Sequence, residues 1–138
     1  MIRVVLDTNV LVSGLLSEHG PPGLIVDLVF AGELALVYDA RLLAEYREVL
    51  VRPELKVDPA DAEELLRAIE DTGEVVTALP WPHRLPDPDD EVVLAVADAA
   101  RVTCVVTGNL RHFPRAQRGR VTVFSPREFV EWLRERSS

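Results

Sequence analysis

Asp7, Glu45 and Asp90 stand apart from the other acids of this chain by the company they keep. Asp7 closes IRVVLD, where five residues of a buried pattern run straight into a carboxylate. An ionised carboxylate beside an apolar core is costly unless it is paired or binds a metal. Glu45 lies in RLLAEYREVLV, whose apolar positions Leu42, Leu43, Tyr46, Val49 and Leu50 form one helical stripe. Glu45 sits at the edge of that stripe, one turn before Val49, whereas Glu48 points further towards water. Asp90 precedes the uniformly apolar run Val92–Ala97 and shares a face with Leu94 and Ala97, which turns it inward. Hard divalent cations select clustered oxygen donors, and magnesium takes only a few carboxylates while keeping several waters. A cation held this way makes water a stronger nucleophile towards phosphorus and offsets charge on the leaving oxygen.

Each acid also has an ordinary structural role open to it. Asp7 or Thr8 can cap a helix entering VLVSGLL, and Glu45 can pair with an arginine. Asp87 can be an N-cap with Pro88 at N1 and Asp90 at N3, where the helix dipole favours acids. Taken together, these readings need three coincidences to gather carboxylates near one end of one sheet. Rival chemistries lack their residues. The sequence has no glycine loop for phosphate, no GxGxxG, no HExxH and no CxxC. His19, His83 and His112 lack zinc-ligand spacing, and Ser13 and Ser17 lack a base partner.

The elements that must position these acids are legible as short apolar runs and amphipathic stretches. Strands are expected at Ile2–Leu6, Leu34–Tyr38, Glu74–Thr77, Thr103–Thr107 and Val121–Phe124. Several are almost wholly apolar, as in a parallel sheet covered on both faces. Helices are expected over Pro22–Ala31, Arg41–Val51, Pro59 to about Asp71, Pro88–Ala100, and from Ser125-Pro126 to about Arg136. Alternation of this kind implies an α/β doubly wound sheet, whose ligands bind outside the carboxyl ends of the strands. Asp7 and Asn109 both follow a strand directly. The segment LPWPHRLPDPDD holds four of the ten prolines and reads as a stiff loop. With 138 residues, a single domain spanning 1–138 is expected.

The net charge of −8 argues against a module that grips nucleic acid by electrostatics alone. It leaves metal-dependent chemistry open, because a bound cation changes the local field. The charge is uneven: no Asp or Glu lies between Asp98 and Glu128, a stretch holding Arg101, Arg111, Arg115, Arg118, Arg120 and Arg127. Arginine pairs phosphate bidentately, although a solvated arginine loop is the plainer reading. The lone Cys104 reads as a buried strand residue. No apolar run reaches a membrane span, and the amino terminus lacks a signal core, so a cytoplasmic location is expected.

The run VVLDTNVLVSGLL resembles the opening of a PIN domain, and LLAEYREVLVRPEL, DPDDEVVLAVADAA and TCVVTGNLRHF resemble its later motifs in order. The closing VTVFSPREFVEWL is similar to the subgroup of toxins from toxin–antitoxin pairs. The resemblance implies a central parallel sheet of about five strands flanked by helices. It implies a metal-dependent endoribonuclease acting on single-stranded RNA, with Asp7, Glu45 and Asp90 holding Mg2+ or Mn2+ and Asn109 assisting. Thr8, Asn9, Thr107, Arg111, His112 and Arg115 are then the substrate-side residues. The fourth motif departs from the family: many members carry an acid at the position of Asn109 or of His112. That departure points to weaker metal binding, or to a non-catalytic domain that binds RNA or protein. A toxin would have a small antitoxin partner and form homodimers, with Leu15, Leu16 and Leu24 as candidate contact residues.

Overall fold

The computed structural model describes residues 1–137. Five strands alternate with six helices: β1 (Ile2–Leu6), α1 (Thr8–Leu16), α2 (Pro21–Phe30), β2 (Leu34–Tyr38), α3 (Ala40–Leu50), α4 (Pro59–Thr72), β3 (Glu74–Val75), α5 (Glu91–Ala100), β4 (Cys104–Val106), β5 (Val123–Phe124) and α6 (Pro126–Ser137). The sheet order is β3-β2-β1-β4-β5, and every pairing is parallel. The chain thus winds outward from β1 through β2 and β3, then crosses back to lay β4 on the other side of β1. The crevice at this switch point lies between the carboxyl ends of β1 and β4.

The central strands are built for burial. All five residues of β2 and the VVL of β1 are buried, as is the whole of β4, including Cys104. α2 packs against α1, α4 and α6, while α5 lies on β1, β2 and β4 with α3 beside it. The α1–α2 contact depends on Gly14, where a Cβ would fall 2.3 Å from Val26 Cγ2. The run VLVSGLL therefore sits in a helix that begins at Thr8.

The expected elements are all present, with β3, β4 and β5 shorter than expected; β4 covers Cys104–Val106 rather than Thr103–Thr107. β3 covers two residues, not four: it is an edge strand with both side chains exposed, and its ladder ends where β2 ends, with the Val76 N–H donating to the Tyr38 carbonyl at 2.9 Å. β5 begins at Val123, because the Val121 N–H turns back to the Arg118 carbonyl at 3.0 Å and leaves the ladder. The helix expected from Pro88 opens as a 3-10 turn, Pro88–Asp90, before α5 proper. Of the three leucines read as contact candidates, Leu16 and Leu24 are exposed, whereas Leu15 is partly buried against the core. No helix among the described residues is long and apolar enough to cross a membrane.

Candidate metal centre

The floor of the crevice is a pair of residues that follow neighbouring strands. The Asp7 N–H donates to the Val106 carbonyl at 2.9 Å, which extends the β1–β4 ladder and sets Asp7 beside Thr107. The fully buried Thr107 hydroxyl donates to Asp7 Oδ2 at 2.9 Å and accepts the Asn109 N–H at 3.1 Å. Asn9 completes this latch. Its amide donates to Asp7 Oδ2 at 3.3 Å, and its Oδ1 accepts the Gly108 N–H at 2.9 Å.

The second acid comes from α3. Tyr46 is fully buried and donates to the Leu6 carbonyl at 2.5 Å, pinning α3 under the end of β1. Its neighbour Glu45 is thereby held at the crevice, where the Thr8 hydroxyl donates to it. Asp39, at the end of β2, is occupied elsewhere: it accepts the Leu42 N–H at 2.8 Å as N-cap of α3 and pairs with Arg41 at 2.8 Å.

The third group is set by the turn before α5. Asp87 caps that turn by accepting the Asp89 N–H at 3.0 Å. Asp90 Oδ2 lies 3.1 Å from His112 Nδ1, and Asn109 Nδ2 lies 3.0 Å from His112 Nε2. An amide nitrogen can only donate, so Nε2 accepts and the Nδ1 proton faces Asp90. One donor atom each from Asp87, Asp90 and His112 lie within 4.8 Å of one another. The two carboxylates could hold a divalent cation, and the imidazole could join them by giving up its Nδ1 proton.

A family profile for the PIN domain matches residues 3–111. The chain belongs to the PIN domain family. A comparison with curated proteins gives no match. The matched segment of this PIN domain contains Asp7, Glu45, Asp87, Asp90 and Asn109, and it ends one residue short of His112.

Electrostatics tie the acids of the PIN domain into one centre. Burial raises the proton affinity of Asp7, partly opposed by the Thr107 hydroxyl. Burial also raises Glu45; the Thr8 hydroxyl opposes this, and the charges of Asp7, Asp89 and Glu48 add to it. Asp90 is pushed up to about 6, first by burial and then by Asp7 and Asp87, with His112 opposing. The Tyr46 phenol beneath them is also raised by burial and by Asp7, Glu45 and Asp39. Asp7 thus acts on both Glu45 and Asp90, as carboxylates facing one low-dielectric crevice must.

Hydrogen bonds link Asp7 with Asn9, Thr107 and, through it, Asn109, and link Asn109 with His112 and Asp90; Thr8 bonds Glu45, on which the Asp7 charge also bears. Arg111 and Arg115 are exposed on the following 3-10 turns and make no ion pair among the described residues. His112 lacks ligand-like spacing in sequence, yet folding seats it beside Asp90. Asp87, read only as a cap, is part of the tightest three-donor cluster among the described residues, which Asp7 and Glu45 do not join. Its spacing from Asp90, i to i+3, was the available signal. Asp89 was also missed; its charge bears on Glu45, and with Glu45 it lines a cleft that includes Arg41 and Trp81.

Proposed function

We propose that this PIN domain is a metal-dependent endoribonuclease that hydrolyses phosphodiesters of single-stranded RNA, and that it is the toxin of a toxin–antitoxin pair. One observation carries the nuclease reading. Asp7, Glu45 and Asp87 have no cationic partner among the described residues, and Asp90 has only His112. Half-buried carboxylates that repel one another without a lysine or arginine are poised for a cation. Asp7, Glu45 and Asp90 are the proposed holders of Mg2+ or Mn2+, with Asn109 assisting and Asp87 added to the donor set, while His112 orients the Asp90 carboxylate.

When bound there, the cation would supply the charge that acidifies water and offsets the leaving oxygen. The chain's own residues do the rest. Thr107 and Asn9 fix the Asp7 carboxylate in one orientation. His112 holds a proton at Nδ1 against Asp90, within reach of the crevice. Arg111, next to it in the chain, is the proposed phosphate contact, with Arg115 beyond. The toxin assignment rests on the resemblance of the closing VTVFSPREFVEWL. It carries with it a small antitoxin partner and homodimerisation.

Purified protein incubated with labelled single-stranded RNA and Mn2+ should cut it, and Asp7→Asn or Asp90→Asn should abolish cutting while leaving the fold intact. Full activity in both variants contradicts the assignment. Calorimetric titration with Mn2+ separates a nuclease from a non-catalytic binding domain: no heat at millimolar metal would favour the latter. Induced expression should arrest growth, and Asp7→Asn should relieve the arrest.

A further inference from the structure

The arginines of the segment joining β4 to β5 lie along a defined path. The Thr107 N–H, at the carboxyl end of β4, donates to the Phe124 carbonyl at 2.9 Å; the Thr122 carbonyl, at the other end of the connecting segment, accepts the Val105 N–H at 2.8 Å. Because β5 runs parallel to β4, residues 108–121 must travel the height of the sheet, from the metal centre back to its amino-terminal pole. That height, Thr103 to Thr107, is about 13 Å at the usual strand rise.

The segment is pinned. Trp81 Nε1 donates to the Gln117 carbonyl at 2.9 Å, Arg118 Nε donates to the Phe113 carbonyl at 2.6 Å, and Phe113 is fully buried. Gly119 makes a left-handed turn (φ +57°) against the Trp81 ring. Arg111, Arg115, Arg118 and Arg120 are thus strung along a fixed path, and none makes an ion pair among the described residues. Arg3, Arg41, Arg47, Arg52 and Arg84 all do. Arg118 is pulled below the ordinary arginine range by burial and by the nearby Arg115, against a smaller effect of Glu128. At the far pole, Arg101 caps α5 in the left-handed region (φ 52°) and shares with Arg120 a cavity of about 280 Å³, where Asp98 is the one acid.

We propose that this crossover, with Arg101 at its far end, is a track for the phosphate backbone of single-stranded RNA passing through the metal centre. The identity of the strand rests on the nuclease reading. Guanidiniums without an ion pair, spaced along one path in a chain of net charge −8, are stabilised by an anion, and phosphates spaced along a strand match them. The His112 end of the track belongs to the cluster with Asp87 and Asp90, so a strand lying on it presents one phosphodiester to the carboxylates. The substrate is therefore an extended strand of several nucleotides, and the Arg101–Arg120 cavity takes a phosphate remote from the bond that is cut.

The probe is a fluorescein-labelled RNA of about 12 nucleotides, within the usual size range of single-strand sites. Binding is followed by anisotropy in Mn2+ on an Asp7→Asn background. Adding Arg101→Asn and Arg120→Gln should weaken binding by about tenfold and lower the log–log salt slope by about 1.4, two phosphate contacts' worth. Asparagine tolerates the left-handed conformation at 101. Arg67→Ala, on α4, should leave both quantities unchanged. An affinity and slope equal to those of the Asp7→Asn parent would overturn the track. If the otherwise native chain still cuts RNA, the nuclease reading survives that result. A reduced slope in a protein that never cuts would sink the nuclease reading and keep the track.

Discussion

Replacing Asp90 by asparagine should make the metal-free protein more stable, even as it destroys the proposed site. Asp90 titrates near 6 in the folded chain against 3.8 for the free side chain, with burial as the largest cause and the Asp7 and Asp87 charges next. Below 3.8 the group is protonated in both states. Between there and about 6 the folded chain keeps a proton that the unfolded chain has lost, so stability falls as pH rises. Above that window the full cost of the buried charge is present. At about 1.4 kcal/mol per tenfold change in proton affinity the cost is roughly 3 kcal/mol, and screening at this half-buried site reduces it to about 1–2 kcal/mol. Asparagine keeps an oxygen for His112 and carries no charge. In EDTA at pH 7.5, Asp90→Asn should therefore melt higher than wild type by roughly 3–8 °C, and the gain should vanish by about pH 4. Millimolar Mn2+ should reverse the order, because a cation that binds only the folded wild type raises its stability. A variant that melts at or below wild type in EDTA at pH 7.5 refutes the claim that Asp90 is held at a cost for cation binding.

Metal affinity should rise about tenfold per pH unit below 6 and level off above it, since uptake must displace the Asp90 proton; a flat calorimetric profile from pH 5 to 7 contradicts this. Thr107→Val should cost about 1–2 kcal/mol in denaturant melts, by leaving Asp7 Oδ2 only its longer bond from Asn9 and the Asn109 N–H without its acceptor, and should weaken Mn2+ binding. Tyr46→Phe should cost about 1 kcal/mol by losing its bond to the Leu6 carbonyl, and should reduce activity through Glu45 placement. Asp39→Ala should cost about 1 kcal/mol as a lost helix cap and leave Mn2+ affinity unchanged, which separates it from the acids of the centre.

The sequence carries the central strands plainly, because a parallel strand covered on both faces must be a run of apolar residues, as in VVL before Asp7 and CVV before Thr107. It carries Glu45 through its place on the rim of an amphipathic stripe. The edges were harder to read. Val121 is β-branched and apolar like its neighbours, and only a turn hydrogen bond to Arg118 removes it from the ladder. His112 was illegible as a neighbour of Asp87 and Asp90, because the contact is made across the fold: 22 residues separate it from Asp90, with β4 between them. Asp87 was hidden by its own adequacy as a cap, a role that it does fill while also facing the cluster. Asp39 shows the converse, an acid at a strand end whose charge goes to α3 and Arg41.

The strand order has a consequence for synthesis on the ribosome. β1 and β2 emerge first and can pair at once, but the other side of β1 stays open until β4, about a hundred residues later, is free to insert. Until then the nascent chain offers an apolar strand edge that can recruit other chains. Asp7 meanwhile lacks Thr107, so the arrival of β4 shields the growing chain from aggregation and fixes the first carboxylate in the same step.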